Sequence, residues 1–223
     1  MWEPGRMDGA LLDEPHSVHA LLFDLGGVVI AFDFGKAFQL WALRAGCDPT
    51  TLEDRFALDE AYERHERGEI PASVYFAALR QSLKIELSDQ EFVDGWNDVY
   101  LGLVPGIGDL LSIARQRLPL FAFTNSNPTH KSTWERLYAN DLKPFDTIFV
   151  SSDLGYRKPD SEAFNLVARN MGFEPREVLF FDDSPDNVEG ARTVGMQAVV
   201  VHSIADIREA LSPLGVEVEL KGS

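Results

Sequence analysis

Short apolar runs rich in Phe, Leu and Val recur at His19–Asp24, Leu120–Thr124, Thr147–Val150, Val178–Asp182 and Gln197–Val201. Runs of this length without polar alternation predict strands buried on both faces. Helical patterns stand between the later ones: Ile107–Arg117; Pro128–Ala139; Asp160–Met171, which sets Phe164, Val167 and Met171 on one face; and Asp186–Val194. Strand and helix therefore alternate. That order implies right-handed crossovers and an α/β, Rossmann-like parallel sheet with helices on both faces.

The stretch from Phe34 to Leu103 breaks the rhythm, with amphipathic helices and no convincing strand. Thr50 with Glu53 and Ser88 with Glu91 have capping-box spacing, and Pro71 suits a first helical turn. Tyr75, Leu79 and Leu83, and Phe92, Trp96 and Val99, supply faces to bury. The expected organisation is a loose N-terminal tail over residues 1–17, an α/β core over 18–33 and 104–223, and an inserted helical cap over 34–103. Trp41, Trp96 and Tyr75 are expected in the cap's own core.

Composition narrows the function. At 223 residues with 45% hydrophobic and 25% charged, the chain has the make-up of an ordinary globular protein. Twenty Lys and Arg against 36 Asp and Glu leave a formal charge of −16, which repels nucleic acid, and no basic patch offsets it. An anionic substrate then needs a local cation or metal to enter. No apolar run reaches the roughly 18–20 residues of a membrane span, and the start of the chain lacks a basic region followed by a long apolar one. The lone Cys47 excludes an intramolecular disulfide and fits a reducing, cytoplasmic compartment.

Four polar clusters sit at the strand ends: Asp24; Thr124-Asn125-Ser126; Arg157-Lys158-Pro159; and Asp182-Asp183. In an open parallel sheet these ends share one crevice. Asp24 and Asp182-Asp183 on neighbouring strands would crowd three negative charges, which a divalent cation such as Mg²⁺ relieves. Taken singly, each aspartate reads better as a helix cap and Lys158 as a solvated lysine; as a group they favour the site. Together, Lys158 clamps a phosphate and a carboxylate, while Thr124 and the adjacent amides donate to phosphate oxygens.

The runs Phe23-Asp24-Leu25-Gly26-Gly27-Val28-Val29, Thr124-Asn125-Ser126-Asn127, Leu154-Gly155-Tyr156-Arg157-Lys158-Pro159 and Phe180-Phe181-Asp182-Asp183-Ser184-Pro185-Asp186-Asn187 resemble, in order, the four motifs of haloacid dehalogenase-like (HAD) hydrolases. The motif variants and the segment His65-Glu66-Arg67-Gly68-Glu69-Ile70 are similar to the branch that includes the bacterial α-D-glucose-1-phosphate phosphatase. The resemblance implies a Mg²⁺-dependent phosphatase acting on a small phosphorylated metabolite, sugar phosphates among them. It makes Asp24 the nucleophile and a metal ligand, Thr124 the phosphate-orienting hydroxyl and Lys158 the charge clamp. Asp183 becomes a direct ligand, Asp182 a water-mediated one, and the Gly26 carbonyl completes the set. Asn125 and Ser126 join the phosphate site, and His65 and Arg67, with Glu66 and Glu69, become candidates for substrate hydroxyls.

The chain departs from that pattern at one position. The family's usual general acid–base aspartate, two residues after the nucleophile, is Gly26 here. Such a group contributes about 10²–10⁴-fold, so leaving groups that are weaker bases should suffer least. Solvent or a nearby side chain, Asp33 or His65, is the expected substitute. A receiver domain orders its acids differently and has no cap; a haloalkanoate dehalogenase leaves Asp182-Asp183 without a cation. The third alternative is a phospholigand-binding or regulatory protein with little or no turnover.

Overall fold

The computed structural model describes residues 17–216; the expected tail over residues 1–17 lies almost wholly outside the described residues. In chain order the elements are β1 (Ala20–Phe23), β2 (Ile30–Phe32), α1 (Phe34–Ala45), α2 (Pro49–Glu53), α3 (Glu60–Glu66), α4 (Ala72–Leu83), α5 (Asp89–Asn97) and β3 (Tyr100–Leu103). There follow α6 (Ile107–Ala114), β4 (Leu120–Thr124), α7 (Pro128–Leu137), β5 (Thr147–Val150), α8 (Ser151–Leu154), α9 (Ser161–Met171), β6 (Val178–Asp182), α10 (Pro185–Thr193), β7 (Gln197–Val200) and α11 (Ile204–Leu211).

Five strands form one parallel sheet in the order β5-β4-β1-β6-β7. β1, β4 and β6 are buried along their whole length because helices cover both faces, which explains their unbroken apolar runs. One face packs Leu21, Phe23 and Phe181 with α6 and α11; the other packs Leu22, Phe123 and Phe180 with α9. The chain order reverses beside β1, so β1, β4 and β6 deliver their carboxyl ends to one crevice.

The helices α1 to α5 have a separate hydrophobic cluster built on Trp41, Tyr75, Phe76, Phe92 and Trp96. The Ser88–Glu91 capping box is present at α5, whereas α2 starts two residues earlier than expected, capped by Asp48 with Pro49 at its first position. Pro71 is the N-cap of α4 and makes no side-chain cap bond.

The end of the 34–103 stretch differs from expectation. Tyr100–Leu103 is a strand, and it pairs antiparallel with Ile30–Phe32 in a two-stranded sheet. This ribbon joins the helical segment to the core and sets Phe32 and Tyr100 above the strand ends.

Candidate active site

A cavity of about 200 Å³ opens at the carboxyl edge of the sheet, between it and the helical segment. Asp24, Thr124, Lys158 and Asp183 all line it, although they come from four separate parts of the chain. Asp24 and Thr124 reach it because β1 and β4 end there, and Asp183 because β6 ends one residue earlier.

Lys158 organises this floor. Its side chain is 1% exposed, and its Nζ lies 2.6 Å from Asp182 Oδ2 and 3.0 Å from Asp24 Oδ1. Burial opposes its charge, but Asp182 and Asp24 outweigh burial and hold its pKa above the usual lysine range. The rings of Phe123 and Phe180 flank the ammonium, each with its centroid 5.4 Å away. The backbone of Lys158 is held as firmly: its N–H donates to Asn125 Oδ1, and its carbonyl accepts from Asn125 Nδ2, both at 2.9 Å.

Asp24 accepts the Leu25 N–H on Oδ1 at 2.7 Å, the same oxygen that faces Lys158. Oδ2 has no protein donor among the described residues. Burial pushes the Asp24 carboxyl up to about 7, against the pull of Lys158 and with further repulsion from Asp182 and Asp183. Burial likewise raises Asp183, with the charge of Asp182 beside it. Carboxylate oxygens of Asp24, Asp182 and Asp183 lie within 4.8 Å of one another. One ammonium does not balance three carboxylates, two of them buried.

Two glycines shape the same corner. Gly27 has φ +77°, and a Cβ there would stand 2.2 Å from Asp183 Oδ2, so only glycine admits the carboxylate. Gly26 sits in a bridge to Ile30 whose bonds are Ile30 N–H to Leu25 carbonyl and Gly27 N–H to Ile30 carbonyl. The Gly26 carbonyl itself has no protein donor among the described residues.

Other expected residues are placed differently. Asp182 is fully buried, and its oxygens accept from Lys158, the Ser184 N–H and Asn187 Nδ2, so it anchors Lys158 from beneath the cavity. Asn125 and Ser126 line the cavity, but their polar atoms are engaged: Asn125 with the Lys158 backbone, Ser126 through its N–H to Ser151 Oγ and its Oγ to Trp134 Nε1.

His65 and Arg67, expected to meet substrate hydroxyls, do not line the cavity. His65 is buried with its ring stacked on Tyr75, centroids 4.8 Å apart, and its Nδ1 lies 3.2 Å from the Ile70 carbonyl. Arg67 closes α3 and bonds Glu63 and Glu69. Asp33, offered as a substitute acid, caps α1 by accepting the Gly35 N–H and is also absent from the lining. Glu69 is tied to Arg64 and Arg67.

The helical segment contributes Tyr62 and Glu66 instead, one turn apart on α3 and so on one face. Glu66 is buried, and its carboxylate meets Arg157 Nε at 3.0 Å, while Arg157 Nη1 meets Glu63 at 3.1 Å. Burial raises the Glu66 carboxyl, and Arg157 and the Tyr62 hydroxyl pull it back. His130, also in the lining, places its Nε2 2.8 Å from the Trp96 carbonyl, and burial pushes it down to about 4. Phe32, Phe34, Leu58 and Val99 complete an apolar wall.

A family description, haloacid dehalogenase-like hydrolase, matches residues 18–195. The chain belongs to the haloacid dehalogenase-like hydrolases. Among curated HAD relatives, a D-ribitol-5-phosphate phosphatase of Bacteroides thetaiotaomicron is 26% identical over 202 residues, covering 86% of this chain and 96% of the relative. A phosphatase of Mycobacterium tuberculosis is 28% identical over 216 residues, covering 89% and 96%. In fold, the chain matches a HAD family enzyme of Bacteroides thetaiotaomicron solved with magnesium and inorganic phosphate, at TM-score 0.72 and 24% identity over 84% of this chain and 96% of that one. The HAD fold implied by the motif resemblance is thereby established for this chain.

Proposed function

We propose that this HAD hydrolase is a Mg²⁺-dependent phosphomonoesterase that moves the phosphoryl group of a small phosphorylated metabolite first to Asp24 and then to water, in the cytoplasm. The observation that carries the reading is the meeting of Asp24, Asp182 and Asp183 within 4.8 Å beside a single buried ammonium. Relatives over most of the chain bear phosphatase names, which supports it.

The donor set fits Mg²⁺: hard oxygens, an excess of negative charge, and a backbone carbonyl without a donor. Asp24, Asp183 and the Gly26 carbonyl would hold it, with Asp182 contributing negative charge from beneath. Bound there, the cation neutralises phosphate and carboxylate charge and lowers the cost of bringing them together.

The chain's own groups do the rest. Lys158 and the Leu25 N–H fix Asp24 Oδ1, so Oδ2 faces the phosphorus. As the Asp24–phosphorus bond forms, the ester bond to the leaving oxygen breaks and its electron pair leaves with that oxygen. Thr124 and Lys158 stabilise the phosphoryl oxygens. Water then attacks the phosphorus as the bond to Asp24 breaks; Asp24 departs as a carboxylate and the water's proton passes to solvent. The helical segment, latched through Glu66 and Arg157, is the cap that closes the cavity over the leaving group.

Phosphate release from p-nitrophenyl phosphate, with and without Mg²⁺, tests the reading. Turnover that needs the cation and disappears in Asp24→Asn is expected; Mg²⁺-independent turnover, or turnover that survives Asp24→Asn, overturns it. Phosphate and Mg²⁺ binding without turnover would instead favour the regulatory reading, which the glycine at position 26 motivates.

A further inference from the structure

Phe32 lies over the position of the missing acid: a Cβ built on Gly26 would stand 3.0 Å from Phe32 Cε1 and 3.4 Å from Cδ1. The Phe32 ring is 38% exposed, sits edge-on to Phe34 at 5.4 Å, and continues into a wall that includes Leu58, itself exposed at the mouth. The cavity thus presents an aromatic face where a proton donor would act.

The polar groups around that face are mostly spent. Glu66 and Arg157 Nε bond each other, Tyr62 lies in hydrogen-bonding reach of Glu66, Asn125 is taken by the Lys158 backbone and Asn187 Nδ2 by Asp182. The Tyr100 hydroxyl, His130 Nδ1, Asn187 Oδ1 and Arg157 Nη2 have no hydrogen-bond partner among the described residues.

We propose that the preferred substrates are aryl phosphomonoesters, with the arene against Phe32. This rests on the phosphatase reading and specifies its leaving group. The chemistry and the surface agree. When Asp24 Oδ2 bonds phosphorus and the ester bond breaks, the electron pair departs on oxygen with no aspartate at position 26 to protonate it. A phenolate, stabilised by its ring, leaves without that proton and takes one from water afterwards, whereas an alkoxide does not. The cavity of about 200 Å³ accepts a phosphoryl group and one ring rather than a large nucleotide.

The test compares phenyl phosphate with ribitol 5-phosphate as substrates, and phenylphosphonate with methylphosphonate as non-hydrolysed ligands measured by calorimetry. The expected result is kcat/KM at least ~100-fold higher for phenyl phosphate, the scale of a lost acid, and at least tenfold tighter binding of phenylphosphonate. Phe32→Ala should compress both ratios about tenfold. Equal kcat/KM for the two esters, equal affinity for the two phosphonates, or ratios untouched by Phe32→Ala would each overturn the aryl assignment. Turnover surviving in Asp24→Asn would instead sink the phosphatase reading itself, so the two failures are told apart.

Discussion

Lys158 Nζ stands 2.6 Å from Asp182 Oδ2 and 3.0 Å from Asp24 Oδ1, so the ammonium is held from below by a fully buried carboxylate and presented upward to Asp24. Asp182 therefore acts by positioning. Asp182→Asn keeps the shape but leaves a buried lysine short of one charge; breaking such pairs costs about 3–5 kcal/mol. Urea denaturation should show a loss of that order, with kcat falling far more than KM rises.

Arg157 joins the loop before Lys158 to Glu63 and Glu66 on α3, and Ser151 Oγ donates to the Glu66 carbonyl at 2.7 Å. These contacts seat the helical segment on the core. Arg157→Ala leaves Glu66 buried without its cation and should loosen that seat. Hydrogen exchange over Glu60–Gly68 should accelerate, while exchange in β1 and β6 stays unchanged.

Gly27 and Gly46 both have positive φ, +77° and +69°, but only Gly27 faces a neighbour, Asp183. Gly46→Ala should cost about 1–2 kcal/mol, the ordinary price of a left-handed alanine, and leave Mg²⁺ affinity intact. Gly27→Ala must also displace the Asp183 carboxylate, so calorimetry should show Mg²⁺ affinity at least tenfold weaker.

His130 is neutral in the folded state well below its ordinary range, because burial pushes it from 6.5 down to about 4. The unfolded chain therefore binds a proton first as pH falls. The stabilisation is full above pH 6.5 and is lost as pH drops from 6.5 toward 4. Between pH 7 and 5 this one group accounts for about 2 kcal/mol. Urea midpoints at the two pH values should differ less in His130→Asn than in the native protein.

The parallel sheet and the floor of the site were legible because buried strands are uninterrupted apolar runs, and because strand ends in such a sheet share an edge. β4, β5 and β6 begin and end where the runs Leu120–Thr124, Thr147–Val150 and Val178–Asp182 do. The β2–β3 ribbon was not legible: its partners lie far apart in the chain, its burial is mixed, and Gly102 interrupts any alternation. The walls failed for a related reason. On α3, His65 and Glu66 are neighbours in sequence, yet successive helical residues point about 100° apart, and nothing in a charged run says which one faces inward. The pairing of Glu66 with Tyr62 one turn earlier is the signal that would have chosen between them. Phe32, an exposed aromatic on a short ribbon, gives no sequence hint that it covers Gly26.

In the proposed reaction Asp24 carries the phosphoryl group between substrate and water. Acid quenching during steady-state turnover, followed by mass analysis of the peptide containing Asp24, measures this directly. The predicted result is a gain of one phosphoryl group on Asp24, absent without Mg²⁺ and in Asp24→Asn. A peptide that turns over substrate while never carrying that phosphoryl group would contradict it.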